Sequence, residues 1–563
     1  MRSQCSAPDP GDGAPLSGTR RRTFLKTGAA VTASALPLIA TGRASAAPAS
    51  AVFAHGVASG DPLPGGVILW TRVTPTPEST PGSGVGPATE VIWEISRDGS
   101  FASPAASGRV TTSAATDHTV KVDVDGLAAD TTYSYRFRVT SGPAVGAVSP
   151  TGRTRTAPAS GADVGEVRLG VVSCANWEAG YFASYRHLLA HRDLRAIVHL
   201  GDYFYEYETG GYTGKTGPVR RNQPRNETIT LRDYRIRLAS YKTDPDLAEL
   251  HRTVPWICTW DDHESANDAW SGGAENHSAR EGSWRARKAA SEQAYYEWMP
   301  VRPQADASGR HLYRRLRFGT LAELSMLDLR TYRDQQVSAT SRRVDDPRRS
   351  ITGAAQMRWL TAGLASSETR WQIVGNPVMI SPVLLPPLDR TNSAAITEML
   401  GLPSEGLPYN ADQWDGYSAD RRRLLESIRD NRTDNVVFIT GDIHSSWACD
   451  VPADASRYPG TSVATELVVP SVTSSNIDDI IGVPEHTAGP AISSAILAAN
   501  RHIRWNDLDG HGYGVLTVTS AAAQMDWWFL VDKTDPRSRR YHARSFRVRS
   551  GSPRVQPVST PID

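Results

Sequence analysis

A chain of 563 residues exceeds the span of one ordinary domain, and two or three are expected. Its 61 lysines and arginines nearly cancel its 60 aspartates and glutamates. No field-scale reason remains to expect a nucleic-acid-binding patch or attraction to an anionic membrane, so any charge on a substrate is met locally, by a site.

The N-terminus reads as an address rather than as structure. In "RRRTFLKTGAA" (20–30), Arg21 and Arg22 precede Phe24-Leu25-Lys26; a weakly apolar stretch runs from Gly28 to Ala40, and "ASA" (44–46) closes it. A charged region, a short apolar region and a small-residue cleavage site, in that order, make an export signal. The apolar part is too short to span a bilayer. Paired arginines before Phe-Leu-Lys resemble a twin-arginine signal, so residues 1–46 are expected to engage the twin-arginine translocation machinery. The mature protein is then expected to be secreted, with no transmembrane segment, as a monomer. Cys5 falls in the signal, leaving Cys174, Cys258 and Cys449. An odd count in an exported protein means at least one thiol is unpaired or is a ligand. Cys258 and Cys449, in or beside apolar runs, read as buried free thiols.

Residues 50–156 read as all-β. "GGVILWTRV" (65–73), "TEVIWEIS" (89–96), "TVKVDV" (119–124) and "TYSYRFRV" (132–139) alternate or run apolar between turn residues. Such short strands suggest a small β-sandwich, and "GLAADTTYSYRFRV" (126–139) resembles the end of a fibronectin type III-like module. "SPTGRTRTAPASGADVGE" (149–166) has the composition of a linker.

From Val167 the texture changes. Strand "VRLGVVSC" (167–174), helix "YFASYRHLLAHRD" (181–193) and strand "LRAIVHLGD" (194–202) lead to a polar, Gly-rich surface excursion over 209–226. Then follow strand "VPWICTWDDH" (254–263), helix "RKAASEQAYYEWM" (287–299) and strand "LAELSMLDLR" (321–330). Helix "AAQMRWLTAGLA" (354–365), strand "WQIVGNP" (371–377), helix "SADRRRLLESIRD" (418–430) and strand "NVVFITGDIH" (435–444) complete the alternation. This order predicts a layered α/β domain over 167–563, with sheets flanked by helices on both faces.

The strand ends carry the chemistry. They read Ser173-Cys174, Gly201-Asp202 with Tyr205, Asp262-His263-Glu264, Gly375-Asn376, and Gly441-Asp442 with His444. In α/β sheets the C-terminal strand ends share one crevice. Alone, an Asp after a strand is often a helix cap and a His a satisfied polar residue. Metal-type ligands at five strand ends are hard to obtain from packing alone.

The spacing G-D-x-x-Y, then D-H-E, then G-D-x-H resembles the calcineurin-like metallophosphoesterase pattern, with Tyr205 where purple acid phosphatases place an iron-binding tyrosinate. Together with "SC", "LDLRTYRDQ" and "GN", behind a β-domain and an export signal, it resembles the PhoD family of alkaline phosphatases and phosphodiesterases, which includes related bacterial phospholipases D. The resemblance implies iron(III) held by Cys174, Asp202, Tyr205 and His444. It implies calcium beside it, on Asp202, Asp262, Asn376 and Asp442. The residue types agree, since iron(III) suits carboxylate, phenolate and imidazole and calcium suits oxygen. His263 is then the general acid on the leaving alkoxide. Arg330 offers a planar fork to a phosphate oxygen, or else an ordinary surface ion pair. Trp177 and Trp270 line the pocket mouth or simply pack, and the polar, Pro-rich C-terminus is a possible lid.

The resemblance implies a secreted metal-dependent phosphatase or phosphodiesterase that hydrolyses phosphate esters with a metal-activated hydroxide, for phosphate acquisition. A phospholipase D-like metallo-phosphodiesterase is the alternative, and an inactive secreted binding protein a further one. The HxKxxxxD pattern of the unrelated phospholipase D superfamily is absent, so phospholipid cleavage would need the metals.

Overall fold

Alternation along the central strands decides which layer each side chain joins. In the strand Leu194–His199, Ile197 packs beneath helices while Ala196 and Val198 face a second sheet. In the strand Trp371–Asn376, Ile373 faces back towards them and Val374 turns to the opposite helices. Strands apolar on both sides are what a sheet buried on both faces demands.

The structure, a computed structural model, describes residues 49–306, 309–385 and 407–562. The twin-arginine stretch lies outside the described residues. Among those residues no helix is long and apolar enough to cross a membrane.

Two sheets stack face to face. In one, the parallel strands Glu166–Val172, Leu194–His199 and Trp256–Cys258 lie side by side. The other centres on Ala322–Met326, Trp371–Asn376, Val436–Thr440 and Ser462–Val468, also parallel. Val171, Val198, Ile257, Leu324, Ile373 and Val437 fill the space between them. Outside the first sheet, helices Leu231–Tyr241, Pro245–Thr253 and Trp284–Trp298 cover Val172 and Ile197. Outside the second, helices Ala354–Ser366 and Ser418–Asp430 cover Val374 and Phe438. The layered α/β class expected from the sequence is what the chain adopts.

Three refinements concern the edges. The N-terminal strands do form a sandwich, with Val57–Leu63, Gly66–Arg72 and Thr119–Val124 facing a four-stranded sheet across Leu69, Val91, Ile95, Val120 and Phe137. Its three-stranded half is continuous with the large sheet, because Gly60 pairs in parallel with Trp256. A Cβ at Gly60 would meet the Pro300 carbonyl oxygen at 2.1 Å, so glycine is what permits this junction. The stretch read as a linker contains the strand Gly152–Arg155, paired with Thr132–Tyr135. The C-terminus is no lid: Arg540–Arg549 and Val555–Val558 extend the ten-stranded sheet.

Helices Leu231–Tyr241 and Pro245–Thr253 were not foreseen, although both carry start signals. Thr230 and Asp233 form a capping box, and Asp244 caps a helix with Pro in its first turn. Lys242, at the end of the first, is buried without a carboxylate partner among the described residues. Its Nζ lies 3.2 Å from both Tyr203 Oη and His251 Nε2, over the Trp70 ring. Burial pushes its pKa from 10.5 down to about 7. Between those two pH values the unfolded chain holds a proton that the folded protein has released, so stability rises with pH across the window, by up to about 1.4 kcal/mol per unit from this group. Lys242→Met is accordingly expected to stabilise the fold below about pH 7, with the gain shrinking to nothing near pH 10.5. Denaturant midpoints of both proteins at pH 6, 8 and 10 measure this; a gain independent of pH would mean that Lys242 is not neutralised on folding.

Candidate metal centre

The strand ends converge, and backbone strain marks where. Cys174, Asp202, Asp442 and His444 all have positive φ, between 54° and 66°, a region costly for non-glycine residues and concentrated at functional sites. Gly201 precedes Asp202 with φ 116°, and a Cβ there would meet the Asp261 Cβ at 2.4 Å. Glycine thus lets the two acidic strand ends close on each other.

One ligand atom each from Cys174, Asp202 and His444 lies within 4.8 Å of the others, and the same holds for Asp202, Asp262 and His263. Asp202 belongs to both groups. Its Oδ2 accepts from Tyr205 Oη at 3.0 Å, while its Oδ1 is buried with no hydrogen-bond partner among the described residues. Tyr205 Oη is also 3.2 Å from His444 Nε2. His444 Nδ1 lies 2.9 Å from the Ser475 carbonyl, which leaves Nε2 as the ligand nitrogen, and burial holds the ring neutral with a pKa of about 3.

The electrostatics fit a cation. Burial, together with neighbouring anionic groups, pushes Asp202, Asp442, Tyr205 and Cys174 well above their ordinary values. Four groups that resist ionisation beside one another, around an unpartnered carboxylate oxygen, are what a bound metal would satisfy. The residues present therefore fit the hard metal ions that the resemblance implies.

His263 sits in an aromatic enclosure, its ring centroid 4.1 Å from that of Tyr205 and 5.5 Å from that of Tyr207. Its Nδ1 lies 2.7 Å from Glu206 Oε2, and Glu206 is fixed in turn by the Asn267 N–H and the Asn276 amide. Burial lowers the imidazole pKa, but Asp262, Glu206 and Asp202 outweigh it and raise it well above 6.5.

Two expected residues make bonds within the protein that the sequence reading did not include. The Asn376 amide is fully buried and already bonded: its Oδ1 accepts from Trp414 Nε1 at 3.0 Å, and its Nδ2 donates to the Val378 carbonyl and Thr440 Oγ1. Arg330 has no free fork for phosphate. Its Nε and one NH2 group grip Asp261 at 2.5 and 2.9 Å, the other NH2 group bonds Asp412 at 2.8 Å, and Asp442 lies at 3.4 Å. A buried guanidinium amid so many carboxylates is their counter-ion.

Trp177 and Trp270 do not line the cleft that Asp202, Asp262, Asp442 and His444 line, and Trp270 lines a separate cavity with Asp261, Glu264 and Arg330. Arg220 stacks on Trp177, and Trp270 closes a tight turn with Gly273. The 209–226 excursion is no mere surface loop, since Tyr212 Oη reaches to 3.4 Å from His444 Nδ1. Sequence reasoning missed Glu206, although it stands inside "GDYFYEY", and missed Tyr212, Asp412 and the Ser474-Ser475 pair. All three remaining cysteines are buried and free.

A two-sheet α/β sandwich with these ligand-type residues at its strand ends defines the metallophosphoesterase class. Residues 169–527 match the model of the PhoD-like phosphatase family, and residues 39–158 match that of its N-terminal domain. The chain is 35% identical over 492 residues to alkaline phosphatase D of Bacillus subtilis strain 168, covering 86% of this chain and 78% of that protein. A solved structure of PhoD superposes with a TM-score of 0.79 at 33% identity, covering 91% of this chain and 92% of the other. A purple acid phosphatase from yellow lupin (Lupinus luteus) seeds shares the fold alone, with a TM-score of 0.50, 11% identity and coverage of 88% and 73%. The chain belongs to the PhoD-like phosphatase family and is a phosphoric ester hydrolase.

Proposed function

We propose that this is an exported, metal-dependent phosphatase or phosphodiesterase that releases phosphate from extracellular esters. The observation that carries the metal dependence is Asp202, a buried carboxylate shared by both ligand groups, with one oxygen unpartnered. Cys174, Asp202, Tyr205 and His444 would hold iron(III). Asp202, Asp262 and Asp442 would hold calcium, with Asn376 lending its remaining Oδ1 lone pair. Such a metal pair supplies an acidified water and offsets phosphoryl charge.

The chain's own residues do the rest. Glu206 fixes His263 through Nδ1, so Nε2 is left to hand a proton to the departing alkoxide. Arg330 holds Asp261, Asp412 and Asp442 together and so keeps the carboxylate side of the cleft in place. Export rests on Arg21 and Arg22 of the leader.

A second reading, cleavage of phospholipids, has its own observation. Ile477 and Ile480 line the same cleft as Asp262 and His444, and Ile480, Ile481 and Tyr409 are 71%, 52% and 42% exposed. An apolar rim continuous with a phosphate-binding cleft suits an ester with an alkyl or acyl group.

The deciding experiment combines metal analysis of the purified protein with a hydrolysis panel of p-nitrophenyl phosphate, its bis-ester and phosphatidylcholine, with calcium added. Stoichiometric iron with turnover of the nitrophenyl esters is expected. Preference for phosphatidylcholine, lost in Ile480→Asp, would favour the lipid reading. Protein without metal or turnover would return the inactive binding protein.

A further inference from the structure

The loop Ser471–Asn476 contributes no ligand, yet it touches the supports of three proposed ones. The Ser475 carbonyl accepts from His444 Nδ1, and the backbone N–H groups of Thr473 and Ser474 donate to the Cys174 carbonyl at 3.3 and 3.2 Å. Ser474 is fully buried, and its Oγ lies 2.6 Å from Tyr205 Oη and 3.0 Å from that same carbonyl. A hydroxyl has one proton to give. The Cys174 carbonyl already accepts two backbone N–H groups, and the Tyr205 O–H is itself directed at Asp202 Oδ2, so the nearer Tyr205 oxygen is the acceptor of the Ser474 proton.

We infer that Ser474 is a positioning residue that donates a hydrogen bond to the Tyr205 oxygen, and so sets how strongly the phenolate donates electrons to a metal. The inference rests on the proposed iron–tyrosinate reading and goes beyond it. Once Tyr205 binds as a phenolate its own proton is gone, and its oxygen retains lone pairs for the metal and for the Ser474 proton. A hydrogen bond to an anionic oxygen is the strong, charge-assisted kind, and in a dry site water cannot replace it. It stabilises the phenolate electrons, which weakens their donation and preserves the Lewis acidity of the metal.

The loop does not depend on this hydroxyl for its fold. Val472 N–H donates to the Ser173 carbonyl at 3.0 Å, Thr473 Oγ1 to the Asn176 carbonyl at 2.7 Å, and Lys533 Nζ to the Thr473 carbonyl at 2.8 Å. Ser474→Ala leaves every one of these bonds in place.

The test is optical and resonance Raman spectroscopy of the iron-loaded enzyme. Ser474→Ala is expected to keep its iron while its phenolate-to-metal band moves to longer wavelength, because the phenolate electrons lie higher without the hydrogen bond. Ser475→Ala, whose Oγ bonds the Thr213 carbonyl instead, is expected to keep the band where it was. On the unaltered protein, the enhanced phenolate C–O stretch should shift in D2O, which tests the same bond without a substitution. A coloured enzyme whose band is unmoved in Ser474→Ala, or whose C–O stretch ignores D2O, would overturn the inference and leave the metal reading standing. Iron-loaded wild type with no phenolate band would remove both.

Discussion

Asp202→Asn is expected to abolish metal-dependent stabilisation and turnover while making the metal-free protein more stable. Asp202 is buried beside Asp261, Asp262 and Glu264, with its Oδ1 unpartnered among the described residues, and burial and those neighbours oppose its ionisation. An amide removes that charge conflict and leaves the shape of the side chain. The same change removes the carboxylate that belongs to both ligand groups. Activity should fall by about 10³-fold or more, since metal polarisation supplies several kcal/mol and each 1.36 kcal/mol is a decade. Melting curves with and without added iron and calcium supply the second readout. A ligand at a thousandfold excess over Kd stabilises by about 4 kcal/mol, and that increment should vanish in the variant. If Asp202→Asn melted higher with metal, as the wild type is expected to, Asp202 would be a packing residue.

The second large effect concerns proton delivery. His263→Ala is expected to slow hydrolysis of alkyl phosphates by about 10²–10⁴-fold, the usual contribution of a positioned general acid. A p-nitrophenyl ester, whose leaving group is stable as an anion, should lose far less. Glu206→Gln should follow the same ordering with a smaller loss, because an amide still accepts from Nδ1 but no longer favours the protonated ring. Equal losses for both ester types would assign His263 to holding phosphate.

Much of the site was legible because its residues lie at strand ends, and strands announce themselves through apolar runs. Asp202 and Tyr205 share a single turn, so a three-residue spacing was enough to pair them; Cys174 and His444 follow runs of their own. Arg330 and Asn376 show the limit of such reading. Each stands at a strand end, but neither spacing nor composition reveals which way its polar group turns. Arg330 is claimed by Asp261 and by Asp412, which is 82 positions away, and the Asn376 carbonyl oxygen by Trp414, 38 positions away. Ser474 reaches Tyr205 across 269 positions, from a polar run that reads as an ordinary loop.

By itself the amino-acid sequence determined the layered α/β class, the β-rich N-terminal part and the turn that joins Asp202 to Tyr205. These follow from local periodicity and short-range spacing, which the backbone imposes wherever the chain goes. Only the tertiary structure decided that the N-terminal sandwich continues the large sheet through Gly60 and Trp256, that the C-terminus adds strands to that sheet, and that Glu206 orients His263. It alone decided that Arg330 lies against the carboxylates of Asp261, Asp412 and Asp442. The physical reason is that a buried polar group must be satisfied by whichever partner the fold brings within about 3 Å, and that partner is chosen by packing between layers rather than by distance along the chain.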